Sequence, residues 1–451
     1  MDERRFGRRR VLPVTILLVL AALALALAAA CGGDDDAEPV AAPAEPEPAA
    51  AAAEPEPAPA PEPEIMRAEV DVGILGSQSG PWVVLGETLH YALQMAAAEI
   101  NSGHPTCVES GACEPGGGVL VGDTLYTINI HARDIRSENE AALAAAEELI
   151  SDVGVRYMFG PVLDPFAILV QELTQPEGII HFGSPSIFAT VLTEESVAPG
   201  GEKHYLFKTL VEDAVWQAIV AKATTDTFPD ATRQAILIGD DANGESIARG
   251  LQDAFELLGQ EVEVVFYPPG ETTDYSPFLT RIKAFEPDVV HFYYNPPEEQ
   301  AALEQALELD VAPAYSAVNI DPLDFQEFFG TLEQDVLLVC VPVCVAGLTS
   351  PKIKDYFERY RQQAGELGPT ASFSLMIYDF LPMLAAAWKH AGTVDDADAV
   401  VAALETIEYE STIGLLSFDD RHIVDAGLDS CLVSGGEFEC TLITERPGLE
   451  R

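Results

Sequence analysis

Residues 72–87 read VGILGSQSGPWVVLGE. An apolar run stops at Gly76, a short Ser/Gln/Gly/Pro loop follows, and a helical pattern starts near Gly86. Strand, glycine-bearing loop and helix can cradle a phosphate, because the free N–H groups of a helix start attract anions. The glycines stand at Gly73, Gly76 and Gly80, which is not the GxGxxG spacing, and no P-loop lysine follows. No acidic residue is obviously placed for a ribose. The loop is therefore not read as a nucleotide site. It offers Gln78, Ser79 and Trp82 for hydrogen bonding and stacking.

Catalytic constellations are equally absent. There is no GxSxG elbow and no HExxH. His90, His131 and His291 fall singly on predicted elements, where a structural role is expected. Asp240-Asp241 and Asp419-Asp420 are adjacent pairs whose side chains point apart, which suits surfaces and caps rather than acid/base work. Nothing assembles a nucleophile, a base and an oxyanion donor, so no enzyme and no cofactor are expected.

Seven cysteines remain to be placed. Cys31 stands alone, and the others form three close pairs: Cys107/Cys113, Cys340/Cys344 and Cys431/Cys440. Three short-loop disulfides are the reading for an exported chain, with nearest-neighbour pairing chosen among several connectivities. No CxxC with histidines at ligand spacing occurs, so no metal is expected.

Export is written at the N-terminus. Arg4, Arg5, Arg8, Arg9 and Arg10 precede VLPVTILLVLAALALALAAA, which ends at Cys31. A basic start, an apolar core and small residues before a cut site read as a signal; an uncleaved signal-anchor helix is the alternative. The ending Ala28-Ala29-Ala30-Cys31 looks like a bacterial lipobox, with the usual Leu one place early at Leu27. Residues 1–30 are thus a lipoprotein signal peptide, and Cys31 becomes the lipidated first residue. Residues 31–67 form an Ala/Pro/Glu linker that cannot bury a core. In polyproline II form its thirty or so low-complexity residues reach on the order of 90 Å. Net charge is −50 from 74 acidic and 24 basic residues. Such a surface repels nucleic acid and anionic lipid, so membrane contact is expected only through the anchor.

The elements that position the polar loops alternate from Val70 onward. Strand-like runs appear at 70–75, 126–132, 155–160, 178–183, 234–239, 261–267, 288–294 and 336–341, with helical stretches between. Two more helical stretches follow at 351–366 and 371–391, and CLVSGGEFECTL reads as a hairpin. Strands joined by helices imply parallel sheets, whose ligands bind at the strands' carboxyl ends. The loops there are SQSGPW, PVLDP, SPSIF, DDANGE, YYNPP and VNIDP, polar and aromatic in composition.

The segments VDVGILGSQSGPWVVLGETLHYALQMAAAEIN, RYMFGPVLDPFAILVQELTQPEGIIHFGSPS, DYSPFLTRIKAFEPDVVHFYYNPPEEQAALEQALELDV and FSLMIYDFLPMLAAAW complete the pattern. With them, residues 68–445 resemble the type I periplasmic binding proteins of the leucine/isoleucine/valine branch, receptors of ABC importers. The resemblance implies an α/β fold of two doubly wound parallel-sheet lobes joined by three crossovers, near 208–213, 339–345 and 413–418. Lobe 1 would hold 68–209 and 346–412, and lobe 2 would hold 210–345 and 413–451. It also implies a monomer outside the cytoplasm that hands a small-molecule ligand to an ABC permease, with a ligand-sensing module as the alternative. Cys340 and Cys344 would then sit at the second crossover.

Carried over residue by residue, the family's amino-acid clamp is incomplete. Asp164 falls where a hydroxyl usually holds the ligand carboxylate. Ser184 and Ser186 keep part of the next loop, with Ile187 near the usual Thr. Asn243 replaces a Tyr, and the acidic partner of the ligand ammonium falls at Asn319, with Asp321 two places on. Tyr294 and Trp82 would supply walls. The expected ligand site is Gln78, Ser79, Trp82, Asp164, Ser184, Ser186, Asn243, Tyr294, Asn319 and Asp321, tuned to a small polar ligand with a cationic or hydroxyl-rich end.

Overall fold

A computed structural model describes residues 65–183, 205–211, 213–293, 296–318, 326–330, 332, 334–340, 350–365, 371–419, 421–424 and 428–443. The cleavage site, Cys31 and the linker as far as residue 64 lie outside these residues, while 66–67 already belong to the first strand. The folded unit spans Glu62–Arg451.

The first sheet is built from β1 (Met66–Gly76), β2 (Val119–Val121), β3 (Thr124–Asp134), β4 (Tyr157–Phe159), β5 (Ile180–Gly183) and β6 (Leu206–Lys208). Its order is β2-β3-β1-β4-β5-β6, parallel except for β2. Val70, Val72 and Ile74 alternate along β1 and are buried beneath α1 (Val83–Ser102). The other face packs α3 (Asn139–Glu148) and α4 (Asp164–Thr174) around Leu75, Ala142, Leu149, Met158 and Val170. Between α1 and α3 lies a short α2 (Pro105–Glu109). Cys107 and Cys113 are disulfide-bonded there, at a Cα separation of 5.5 Å.

The second sheet holds β7 (Arg233–Gly239), β8 (Glu261–Tyr267), β9 (Val289–Phe292), β10 (Ala314–Ala317), β11 (Asp335–Cys340), β14 (Leu428–Ser434) and β15 (Glu437–Ile443). Its order is β15-β14-β11-β10-β9-β7-β8, with the last hairpin antiparallel to the parallel rest. All four residues of β9 are buried, as they must be in a parallel sheet covered on both sides. The covering helices are α5 (Asp213–Thr227), α6 (Ala242–Leu257), α7 (Ser276–Phe285) and α8 (Pro296–Glu308), followed by a short α9 (Gln326–Phe329). At the start of α7, Asp274 Oδ1 accepts the Ser276 N–H at 3.0 Å and Pro277 occupies the first turn.

The chain then returns to the first sheet. α10 (Pro351–Ala364), α11 (Ala371–Ala391) and α12 (Ala397–Leu404) complete that lobe, and α11 lies along α1. α11 is apolar on most of its circumference, which is why it is a core helix. Its Trp388 indole sits 5.0 Å from the Tyr157 ring. A two-stranded ribbon of β12 (Tyr409–Ser411) and β13 (Gly414–Leu416) follows.

The third crossing is displaced from the expected 413–418. Phe418 packs its ring against Phe182, Phe207 and Phe380, all in the first lobe. Beyond it, the Lys208 N–H donates to His422 O and the Val424 N–H to Lys208 O, both in the first lobe. Residues 413–424 therefore stay with the first sheet, while β14 from Leu428 belongs to the second. A buried aromatic ring, which must rejoin its cluster, overrides the crossover position inferred by resemblance.

In the last hairpin, Cys431 and Cys440 stand directly opposite each other in register. The expected staple between them is not formed in this structure. Cys340 is disulfide-bonded, and its expected partner Cys344 lies outside the described residues.

Candidate functional site

The loop of residues 77–82 leaves the carboxyl end of β1 beside that of β3, since the two strands pair in parallel along their whole length. The Asp134 carboxylate organises it. Oδ1 accepts the Gln78 N–H at 2.7 Å and the Arg136 N–H at 2.8 Å, while Oδ2 accepts the Ser79 hydroxyl at 2.8 Å. Ser137 adds a second tie: its hydroxyl donates to Ser79 O at 3.1 Å and accepts the Trp82 N–H at 3.2 Å.

Backbone conformation shows how tightly the two loops interlock. Arg136 and Ser137 both take left-handed φ values, 52° and 59°, which are unfavourable for side-chain-bearing residues unless the surroundings over-determine them. Gly80 has φ +86°, and a Cβ there would lie 2.7 Å from Arg136 O. At the start of α1, a Cβ on Gly86 would lie 2.1 Å from Ser77 O, so only glycine lets the helix approach the strand this closely. Gln78 and Ser79 are exposed and Trp82 is half-buried.

The neighbouring loop after β4 contains a cis Gly160-Pro161 bond. The buried His181 Nε2 lies 2.6 Å from Gly160 O, and burial holds the imidazole down to about 4, so it is neutral. Asp164 is the first residue of α4, at the carboxyl end of β4. The Asp164 side chain lies outside the described atoms, as do Ser184 and Ser186 entirely.

In the second lobe, Asp241 caps α6 by accepting the Gly244 N–H at 2.8 Å, and Asp240 is exposed beside it. Asn243 falls in the first turn of α6, its side chain outside the described atoms. Tyr294, Asn319 and Asp321 also lie outside the described residues, immediately after Tyr293 and Val318 at the ends of β9 and β10. Glu299 Oε1 accepts the Val318 N–H at 2.8 Å and so fixes the exit of β10. Glu298 Oε1 accepts the Gly270 N–H at 3.0 Å, and burial with this carboxylate nearby pushes Tyr275 up to about 12.

The described part of the candidate site thus brings together Gln78, Ser79 and Trp82 from the expected set. It adds Asp134 and Ser137, which hold that loop in place. Asp134 gave no sequence signal of this role, which arises only once β3 pairs with β1. His291 is buried, with Nε2 2.8 Å from Gln234 Oε1, and burial holds it down to about 3. A groove of about 350 Å³ also lies at the opposite, amino ends of β4 and β5, lined by Arg156, Tyr157 and Glu177. Its salt bridge, Arg156 to Asp395 at 2.9 Å, closes within the lobe, and it is remote from the carboxyl-end loops. Among the described residues no group of His, Cys, Asp and Glu could hold a metal ion, and no helix is long and apolar enough to cross a membrane.

Two α/β lobes whose polar loops gather at the carboxyl ends of parallel strands define a two-lobed binding protein. A family profile described as periplasmic binding protein matches residues 69–429. The chain belongs to this family, as a type I periplasmic binding protein of the branched-chain amino-acid branch. It is 27% identical over 364 residues to the Leu/Ile/Val-binding protein BraC3 of Rhizobium johnstonii, covering 79% of this chain and 89% of that one. The Leu/Ile/Val/Thr-binding protein of Salmonella typhimurium is 23% identical, with 78% and 88% covered. Among solved structures, LivJ of Streptococcus pneumoniae in complex with isoleucine superposes with a TM-score of 0.65 at 18% identity, covering 83% of this chain and 99% of LivJ. A solute-binding protein from R. palustris in complex with benzoate gives 0.64 at 17%, covering 84% and 97%.

Proposed function

We propose that this chain is an extracytoplasmic solute-binding lipoprotein of an ABC importer, anchored through Cys31. It would close its lobes on a small polar ligand and present it to a membrane permease. Family membership over residues 69–429 carries the reading. Relatives and neighbours with this fold are named for branched-chain amino acids and for benzoate, so the scaffold admits both aliphatic and aromatic ligands. Asp164, Asn243, Asn319 and Asp321 depart from the α-amino-acid clamp, and a carboxylate facing a ligand carboxylate is repulsive. The ligand is accordingly an amide, amine or hydroxyl-rich compound rather than leucine, isoleucine or valine. Gln78, Ser79, Trp82, Ser184, Ser186 and Tyr294 complete its contacts. The protein works as a monomer, without cofactor or catalysis.

A thermal-melting screen against amino acids, amides, amines, sugars and aromatic acids tests this. Specific binding to the native state raises the melting temperature without turnover. Micromolar binding of leucine, isoleucine or valine by calorimetry would refute the ligand class, and an unmoved melting temperature across the whole panel would refute the receptor role.

A further inference from the structure

Ser79 and Asp134 meet on the exposed lip formed by the carboxyl ends of β1 and β3. A serine hydroxyl has one proton and two lone pairs, and an ionised carboxylate only accepts. With Oγ 2.8 Å from Asp134 Oδ2, the Ser79 proton is committed to the carboxylate. Slight burial works to raise the Asp134 carboxyl, but donors from Arg136, Ser79 and Gln78 outweigh it and hold the group below the usual range. Asp134 is thus ionised at neutral pH and has no proton to return. What Ser79 presents outward is lone pairs.

We infer that Ser79 receives a hydrogen-bond-donating end of the ligand, an ammonium, amidinium, amide NH₂ or hydroxyl, and disfavours a carboxylate, with Asp134 as the positioning residue that sets the direction of the hydroxyl. This deepens the receptor reading and rests on it. One opposing effect has to be weighed. α1 begins at Val83 with no side-chain cap and no acidic residue in its first turn, so its positive end by itself invites an anion. That end is worth roughly half an elementary charge, against a full negative charge on Asp134. The exposed Arg136 on the same lip offsets that charge, so the preference is carried by the acceptor character of Ser79 rather than by the local field.

Interlocking of the loops keeps this polarity fixed. Ser137 ties Ser79 O and Trp82 N from the other side, and Gly80 lies against Arg136 O with no room for a side chain. Ser79 cannot swing its hydroxyl outward without leaving Asp134 with one donor fewer.

The test is an Asp134→Asn variant, which reverses the polarity while keeping the frame. The amide Oδ1 still accepts from Gln78 and Arg136, while Nδ2 donates to Ser79 Oγ and turns its proton toward the ligand. Full-length protein is titrated with two matched pairs, L-leucinamide against L-leucine and benzamide against benzoate, by melting shift and calorimetry. Wild type is expected to favour the amide of the pair it binds. Asp134→Asn should move that ratio toward the acid by roughly tenfold, about what one mismatched hydrogen bond costs. Ser79→Ala should lose the preference without gaining acid binding, and it decides the matter should Asp134→Asn fail to fold. An amide-to-acid ratio unchanged in the folded variants, or a wild type that favours the acids, overturns the inference while leaving the receptor reading intact. No binding by wild type to any of the four probes overturns it too, and the broader melting screen then decides the receptor reading separately.

Discussion

Asp379, buried in the middle of α11, accepts both the backbone N–H of Thr412 and its hydroxyl, the latter at 2.9 Å. This contact pins the β12–β13 ribbon to the long core helix beside a cavity of about 10 Å³ that Tyr409 and Lys352 also line. Burial pushes the carboxyl up to about 7 although the Thr412 and Ser411 donors pull it down. The native state therefore keeps a proton that the unfolded chain, with an ordinary carboxyl near 3.8, has already released. By linkage this contribution stabilises the fold at low pH and is lost as pH rises from about 4 to about 7, then stays level. Asp379→Asn should flatten the decline, by an amount on the order of a few kcal/mol across that window. Urea unfolding of both proteins at pH 4.5, 6 and 8 measures it, and identical pH slopes would show that Asp379 titrates normally.

Gly80→Ala should cost about 1–3 kcal/mol, because alanine is strained at positive φ and its methyl has no space beside Arg136 O. Ligand affinity should fall with it, since the displaced residues are those next to Ser79. A variant with wild-type melting and wild-type binding would show that the loop adapts freely.

Ligand binding should be visible in tryptophan fluorescence, and through one residue. The chain has three tryptophans. Trp216 and Trp388 are fully buried, while Trp82 is half-buried on the loop proposed to meet the ligand. Trp82→Phe should abolish the ligand-induced signal; a full signal in that variant would place the responding tryptophan elsewhere.

For the exported protein, non-reducing peptide mapping should find Cys431 linked to Cys440, because the register already sets them opposite across the hairpin. Alkylation of both thiols without reductant would count against the bond. The Cys107–Cys113 bridge spans six positions in sequence; a loop this short is worth roughly 2 kcal/mol on the chain-entropy account. Its Ser variant should melt lower and otherwise bind normally.

Cys31→Ser should release the protein from the membrane fraction, leaving ligand binding unaltered. Retention of the variant in that fraction would point to an uncleaved signal-anchor helix.

How far these features could be read in advance depended on how locally each is encoded. Long strands with β-branched alternation, such as β1 and β8, and the helix opened by Asp274 and Pro277, announced themselves because their pattern is carried within a dozen residues. β10 did not, since Ala-Tyr-Ser-Ala is too short and too small to signal a strand until neighbours β9 and β11 flank it. Phe418 likewise gave no hint that its partners lay in the first lobe, because ring packing depends on residues brought together by the fold. Of the site, Ser79 and Trp82 were legible as polar and aromatic loop residues. Asp134 was not, because its role arises from a parallel pairing with a strand some sixty positions earlier.

The return of the chain to its first sheet has a consequence for folding order. Glu99 of α1 meets Arg359 and Tyr378, at sequence separations of 260 and 279, and the Tyr157 hydroxyl donates to Val394 O across 237 residues. The core of the first lobe cannot close until α11 and α12 have been made. Contacts this remote are slow to form, because a long loop must be ordered before they repay it. The amino-terminal half thus stays incomplete while the rest of the chain is synthesised. The interlaced chain path thereby lengthens the interval in which the first lobe is unfolded.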